Sequence, residues 1–463
     1  MAKSPFTRRD EQRELSRRAL IKWTLACGAG LGVSRSKVHE ILEKHAGKGV
    51  AAAASTAAFC NVVQIDEGGG GQSNIVGQLV PYFGIAQAKN PAFSWAFGDG
   101  ADQGKPFVGT PYPLWDYNGN PFGHLPAEMQ VSAFPCGSNN THNSNAATST
   151  FGLGGKGTGA FAAEMQVTAL SSIIPALAIG ANPGPSAVPF ASTGNVAGAV
   201  NLFNSVASRT GGLLERSNEA DLYTAHYEIL SSLNRVAKNP IQAGAYKTSR
   251  EAAKFLGKNL AAQLTVTPAE LAEYGATGGS NGIRRYAEAL AFTVKAFQLG
   301  LTHNIHFSGM KNDPHGFWDQ GTFQTEPAIF RRVIKTFMLK MAATNDPLTG
   351  EPLDRNLVMF WQGDTPKQAR NRAGWGDGSA MNHNVVVAYS SGHIKAGWHG
   401  DHSAAGVVTS LDDAGNQVAY NGTVAAQKAL ACIAYAVAKR RARDIQSFAG
   451  NTKIDAQVNP LEL

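Results

Sequence analysis

Apolar runs of strand length recur along the chain from about residue 59 onward, and stretches of helical periodicity separate them. Apolar runs of five to nine residues, whether continuous or alternating, suit strands that helices cover on both faces. Six such runs are present, at 62–66, 129–135, 176–181, 302–310, 356–363 and 384–390.

Helices are predicted between these runs. Apolar side chains return to one face over 284–301 and over 327–341, and an alanine-rich stretch with a basic end covers 424–443. The sequence Thr-Pro-Ala-Glu at 267–270 is a capping box with proline at the first helical position. Strands that alternate with helices predict an α/β fold with a mainly parallel sheet and helices on both faces.

The body of the chain, residues 59–463, is predicted to form a single domain. Residues 182–250 are first rich in Gly, Asn and Ser and then helical, and we interpret them as an insertion or cap. With 43% hydrophobic and 16% charged residues, the chain can bury a sizeable core, which excludes disorder driven by charge.

The positive charge is concentrated at the start of the chain. The net charge is +7, and residues 1–54 hold 11 of the 41 basic residues but only 5 of the 34 acidic ones. The remainder is therefore nearly neutral, and we predict no nucleic-acid partner.

The first 58 residues have the parts of an export signal. Arg17 and Arg18 precede an apolar run over 19–33, which Lys22 interrupts, and a small-residue patch follows at 51–58. This run is shorter than the ~20 residues that span a bilayer. The arginine pair resembles a twin-arginine signal, which predicts the twin-arginine export machinery as a partner, a periplasmic or secreted location and no stable transmembrane span. An N-terminal amphipathic helix is the alternative.

Polar and acidic residues follow several predicted strands, where ligands of open α/β sheets bind. Asp66 ends the first strand, a Ser/Thr/Asn/His loop at 138–149 follows the second, and Asp313 with His315 and then Asp364 follow later ones. His383 differs because it precedes its strand, so its loop would have to fold back. Carboxylates and imidazoles from separate loops predict a Zn²⁺, Mn²⁺ or Mg²⁺ site, which would hold a phosphate or sulfate oxygen and activate a hydroxyl.

Four motifs in order resemble those of a family of exported bacterial proteins, the "domain of unknown function 1501" family, in the alkaline phosphatase and sulfatase-like superfamily. The segment NDPHG is similar to the family's Trp-Asp-x-His stretch, and QGDTPK to its Gly-Glu-Phe-Gly-Arg-Thr-Pro element. MNHN is similar to its Asp-His element, and SGHIKAG to its Gly-Gly-x-Ile-Lys-Gly-Gly turn. These segments lie at 312–316, 362–367, 381–384 and 391–397.

The resemblance implies an alkaline phosphatase-like three-layer sandwich that hydrolyses phosphate or sulfate esters with a divalent metal. Its metal ligands would be Asp313, His315, Asp364 and His383, with Asp66 as a further candidate. The nucleophile of that superfamily is a Ser or Thr at a helix N-terminus, where the helix dipole favours an anion. The candidates here are Ser138, Thr141 and Ser144, with His142 beside them, and we favour Ser144 because it lies nearest the AATST stretch.

Departures from the family's motifs leave a second interpretation open. Asp364 stands in place of the family's Glu, Asn382 in place of its Asp, and GGGGQSN at 68–74 replaces a His- and Asp-containing element. Asp66, Asp313 and Asp364 could also be turn or helix-capping acids. The alternative function is therefore a non-catalytic periplasmic or cell-surface binding or assembly protein that retains the fold with a degraded metal site.

Overall fold

A computed structural model describes twelve parts of the 463-residue chain. They are residues 59–66, 121–137, 158–167, 170, 172–184, 186–207, 255, 258–310, 322–362, 384–402, 408–439 and 453–459. The predicted export signal and most of the predicted insertion lie outside the described residues. The chain divides into a larger unit (Thr56–Leu170, Ile174–Val200 and Leu264–Leu463) and a smaller one (Met1–Ser55, Ser171–Ile173 and Asn201–Gln263).

An eight-stranded mixed sheet, in the spatial order β4-β3-β5-β1-β6-β7-β2-β8, organises the larger unit. Its strands are β1 (Asn61–Asp66), β2 (Ser132–Cys136), β3 (Leu177–Ile179), β4 (Ala191–Thr193), β5 (Asn304–Ser308), β6 (Leu357–Gln362), β7 (Asn384–Tyr389) and β8 (Gly397–Trp398). All neighbouring strands pair in parallel except β7, which is antiparallel to both β6 and β2.

The helices of the described chain lie between the strands. They are α1 (Thr158–Val167), α2 (Val196–Ala207), α3 (Leu260–Leu264), α4 (Pro268–Glu273), α5 (Asn281–Gln298), α6 (Thr322–Ala342) and α7 (Gly422–Val437), with short 3-10 turns at Ala127–Met129, Ala276–Gly278 and Leu353–Asn356. The predicted capping box is confirmed, because the Thr267 hydroxyl accepts from the Glu270 N–H and the Glu270 carboxylate accepts from the Thr267 N–H.

Helices pack on both faces of the sheet, because successive strand residues point to opposite faces. Phe360 of β6 belongs to an apolar cluster that contains residues of α1 and α7. Its neighbour Trp361 points to the other face, where its indole N–H donates to the Tyr286 hydroxyl of α5. Tyr286 also packs edge-on against Phe330 of α6. The predicted α/β architecture with a mostly parallel sheet is thus confirmed.

A small antiparallel sheet also lies in the larger unit, in the order β11-β10-β9. It consists of β9 (Asp401–His402), β10 (Val408–Leu411) and β11 (Gln417–Ala419). None of the helices in the described part of the chain combines the length and the apolar composition that crossing a membrane requires.

Buried apolar side chains also lie in the smaller unit. Phe203, Phe255 and Leu260 are buried, and the Lys258 ammonium lies 5.3 Å from the centre of the Phe255 ring. The Asn204 side chain accepts from the Ala261 N–H at 3.1 Å.

Candidate functional site

Five strands bring their candidate loops to one edge of the large sheet. β1, β5 and β6 are parallel, so Asp66 lies beside Ser308 on one side and Gln362 on the other. β7 runs in the opposite direction, so its first residue, Asn384, lies at this same edge, where it pairs with the last residue of β2, Cys136. We call this the carboxyl edge. The antiparallel direction of β7 removes the need, expected from the sequence, for the chain before it to fold back.

Of the predicted site residues, only Asp66 is described. Ser138, Thr141, His142, Ser144, Asp313, His315, Asp364 and His383 lie outside the described residues. In sequence, each group of them adjoins a residue of the carboxyl edge or its continuation: Gly137, Met310, Gln362 or Asn384. The roles predicted for these eight residues remain predictions.

Asp66 is the last residue of β1 and is 4% exposed. Its side chain makes hydrogen bonds within the sheet and caps no helix of the described chain. Its Oδ2 lies 2.7 Å from Nε2 of His306, and its Oδ1 accepts from the side-chain amides of Gln64 at 3.3 Å and Gln362 at 3.1 Å. Its backbone carbonyl accepts from the Gly309 N–H at 2.8 Å.

Several buried polar atoms around Asp66 have no hydrogen-bond partner within the described structure. At the carboxyl edge they are Oε1 of Gln64, Nδ1 of His306, Oε1 of Gln362 and both amide atoms of Asn384. Buried polar groups in folded proteins are nearly always paired, and exceptions cluster where water, an ion or a ligand binds. This carboxyl-edge cluster therefore has acceptor capacity that the described residues leave unused.

Helix α1 covers part of the cluster at close range. A Cβ atom at Gly159 would lie 2.2 Å from Oε1 of Gln64, so only glycine fits there without a shift. The Gly159 carbonyl also accepts from the Asn304 side chain at 3.2 Å. Glycine at position 159 thus lets α1 approach the polar side chains of β1 and β5 closely.

A cavity of about 590 Å³ lies at the carboxyl ends of β3 and β5, on the face of the sheet that α5 covers, and Asp66 does not line it. Ser308 and Gly309 line it from the sheet, and Arg285 and Glu288 line it from α5. Burial raises the pKa of the Glu288 carboxyl, which Arg285 and Arg284 partly oppose. The cavity therefore offers a cation and an acid that protonates more readily than usual.

The three cysteines in the described part of the chain are poorly suited to this chemistry. Cys60, Cys136 and Cys432 are free and buried. Burial raises the pKa of Cys60 to about 12, with Lys439 opposing the shift and Asp346 adding to it, and burial also raises the pKa of Cys136 and Cys432. Thiols with such pKa values are neutral at pH 7, and the neutral form is neither a good nucleophile nor a metal ligand.

The donor set at the carboxyl edge suits a hard cation. Asp66 offers a carboxylate, and Gln64 and Gln362 each have an unused amide oxygen. Oxygen ligands of this kind favour Mg²⁺ or Mn²⁺, and an added imidazole or carboxylate would extend the range to Zn²⁺. Among the described residues, no three His, Cys, Asp or Glu side chains are grouped as a metal site would require. Asp66 could therefore be only one member of a ligand set.

Sequence reasoning missed His306, Gln64 and Gln362 as members of the site. Each is a polar residue inside an otherwise apolar strand, and all three are at most 1% exposed. A polar residue in a strand that is covered on both faces needs a partner, and this was the signal in the sequence. The partner itself comes from a different strand, which the sequence does not reveal.

Comparison with known proteins yields no assignment: no family model, no curated protein and no solved structure matches the chain.

Proposed function

We propose that the chain is an exported hydrolase of alkaline phosphatase-like fold that cleaves phosphate or sulfate esters with a divalent cation. The observation that carries the proposal is the convergence at the carboxyl edge. The ends of β1, β2, β5 and β6 and the start of β7 lie there, and the sequence places Asp313, Asp364, His383 and the 138–149 loop next to those ends.

The residues of the carboxyl edge would have two roles, cation binding and nucleophilic attack. Asp66, fixed by three donors, would contribute one carboxylate to the cation. The proposed partners are Asp313, His315, Asp364 and His383. The cation would stabilise negative charge on the ester's oxygens and favour ionisation of the attacking hydroxyl. That hydroxyl would come from Ser138, Thr141 or Ser144, with Ser144 favoured and His142 nearby.

The cavity at the carboxyl ends of β3 and β5 would hold the substrate. Its volume of about 590 Å³ lies in the range of small-molecule sites. The Arg285 guanidinium would attract the anionic ester, because planar guanidinium groups bind phosphate and sulfate oxygens well.

One observation favours the alternative, a non-catalytic binding or assembly protein of the same fold. A carboxylate accepts about four hydrogen bonds in all, and three donors already occupy that of Asp66. A site that has lost its metal would satisfy its aspartate with neighbours in this way. The metal content of the protein separates the two functions.

The experiment compares the wild type with Asp66→Asn and Asp313→Ala. Mature protein is recovered from the periplasm, so that its recovery there also tests export. Metal content is measured by mass spectrometry, and turnover of an aryl phosphate and an aryl sulfate is measured with added Zn²⁺, Mn²⁺ or Mg²⁺. We expect one or two bound cations per chain in the wild type, and in each variant a lower content and a turnover at least about 100-fold lower.

Asp354→Asn is the matched control. Asp354 is also a buried aspartate, but it precedes β6 and so lies at the opposite edge. Its substitution should leave both metal content and turnover unchanged. Asp66→Asn should fold, because Gln64 and Gln362 can each rotate the amide and offer the unused oxygen to the new amide. A metal-free and inactive wild type would overturn the hydrolase proposal in favour of the alternative.

A further inference from the structure

We infer that His306 is a positioning residue, which orients the Asp66 carboxylate for cation binding. The orientation of the carboxylate follows from the described residues alone. Its purpose rests on the proposed function, in which Asp66 is a ligand.

The strand register brings the two residues together. His306 of β5 lies opposite Gln64 of β1, and Asp66 comes two residues later on the same face. Such diagonal neighbours lie within reach of long and aromatic side chains. The Nε2 to Oδ2 distance is 2.7 Å, and the side chains are 0% and 5% exposed.

The geometry of the contact assigns the hydrogen-bond roles. A carboxylate only accepts hydrogen bonds, so in this contact Nε2 of His306 is the donor. Nδ1 has no hydrogen-bond partner within the described structure. The hydrogen bond that the described residues give this ring is therefore the one to Asp66.

The hydrogen bonds also determine which lone pair of the carboxylate remains open. Oδ1 accepts from two amides, while Oδ2 accepts only from His306. The unused lone pair is therefore on Oδ2, and the direction of the His306 bond sets where it points. The ring itself is held, because Phe190 packs edge-on against it with ring centres 6.5 Å apart.

Two substitutions of similar size separate positioning from simple packing. In His306→Gln, the amide nitrogen can reach the place of Nε2 and still donate to Asp66. In His306→Asn, the amide reaches only the place of Nδ1. Mn²⁺ is the probe, and its dissociation constant is measured by isothermal titration calorimetry. We expect His306→Asn to weaken Mn²⁺ binding about 10- to 100-fold and His306→Gln to weaken it less than about threefold.

The control is His303→Gln. His303 is also buried, but it precedes β5 at the opposite edge and contacts Asn61. Its substitution should leave the Mn²⁺ dissociation constant unchanged. If His306→Asn binds Mn²⁺ as tightly as the wild type while Asp66→Asn does not, the positioning role is overturned and the proposed function survives. If Asp66→Asn binds like the wild type, or the wild type binds no Mn²⁺, the proposed function fails.

A second measurement uses only the wild-type protein, without added metal. Nitrogen-15 spectra of histidine-labelled wild type report which ring nitrogen carries the proton. We expect His306 to be protonated at Nε2 and not at Nδ1. A proton on Nδ1 alone would mean that the ring cannot donate to Asp66, and that result would overturn the inference.

Discussion

The two edges of the central strands β1, β5 and β6 carry polar clusters of the same composition. At the amino edge, Asp346 accepts from the side chains of Asn61 and Asn356 and from the Leu348 N–H, and His303 contacts Asn61. At the carboxyl edge, Asp66 contacts a histidine, His306, and accepts from two side-chain amides, those of Gln64 and Gln362.

The clusters differ in how completely they are satisfied. Of the five residues of the amino-edge cluster, only Asn356 has a side-chain atom, Oδ1, without a partner within the described structure, although Oδ1 of Asp354 and Oδ1 of Asn304 at the same edge also have none. At the carboxyl edge, Gln64, His306 and Gln362 each have one such atom. A cluster whose polar atoms are nearly all paired, here called closed, stabilises the fold. A cluster with several unpaired polar atoms, here called open, can form further hydrogen bonds. The difference is consistent with the proposed function, in which the carboxyl edge holds the site and the amino edge is structural.

The largest expected effect tests the closed cluster. Asp346→Leu leaves two buried amides and a backbone N–H without their acceptor. We expect a loss of about 3–5 kcal/mol in the free energy of unfolding, measured with urea, because a broken buried network leaves unsatisfied polar groups. Asp455→Leu at an exposed position should change it by less than about 0.5 kcal/mol. Equal values for the two variants would show that the amino-edge cluster contributes nothing.

The longer strands of the large sheet were predictable, but several short strands and the contacts between the elements were not. The apolar runs predicted β1, β5, β6 and β7 to within two residues at each end, and the capping box predicted the start of α4. The direction of β7 was not predictable, because the sequence NVVVAY has the same apolar pattern in both directions. Its direction comes from pairing with β6 and β2, which are distant in sequence.

The candidate site shows the same limit. The position of Asp66 at a strand end was visible in the sequence, but its contact with His306 spans 240 residues. That contact depends on the register of β1 against β5, which no local pattern encodes. The sequence placed Gln64 and Gln362 only in strands. The contact of Gln362 with Asp66 depends on the pairing of β1 with β6, which the sequence does not show.

An intermediate effect tests how tightly the open cluster is packed. In Gly159→Ala, the new methyl group would lie 2.2 Å from Oε1 of Gln64, so Gln64 must move away from Asp66. Overpacking of this kind outweighs the gain in helix propensity, and we expect a net loss of about 1–2 kcal/mol by urea denaturation. Gly194→Ala is the control, since a Cβ there meets nothing within 4 Å. If both variants are equally stable, Gln64 can move at no cost in stability. The carboxyl-edge cluster would then be loosely packed around Gly159.

The smallest effect concerns charge at the amino edge, where Asp354 is buried and its Oδ1 has no partner within the described structure. Burial raises the pKa of Asp354 above its ordinary value, and the nearby Arg355 only partly opposes this. The charged form is thus less favourable in the folded chain than in the unfolded one. The wild type therefore loses stability as the pH rises from the ordinary value of about 3.9 through the raised one.

Asp354→Asn removes this titration. We expect the variant to be more stable than the wild type at pH 7 and equally stable at pH 3, where the aspartate is neutral in both states. Urea denaturation at a series of pH values measures the difference, and Asp455→Asn at an exposed position should show none. A variant less stable than the wild type at pH 7 would mean that the Asp354 charge is stabilising. Charged aspartates would then stabilise the amino edge too, and the two clusters would differ only in how many of their polar atoms are unpaired.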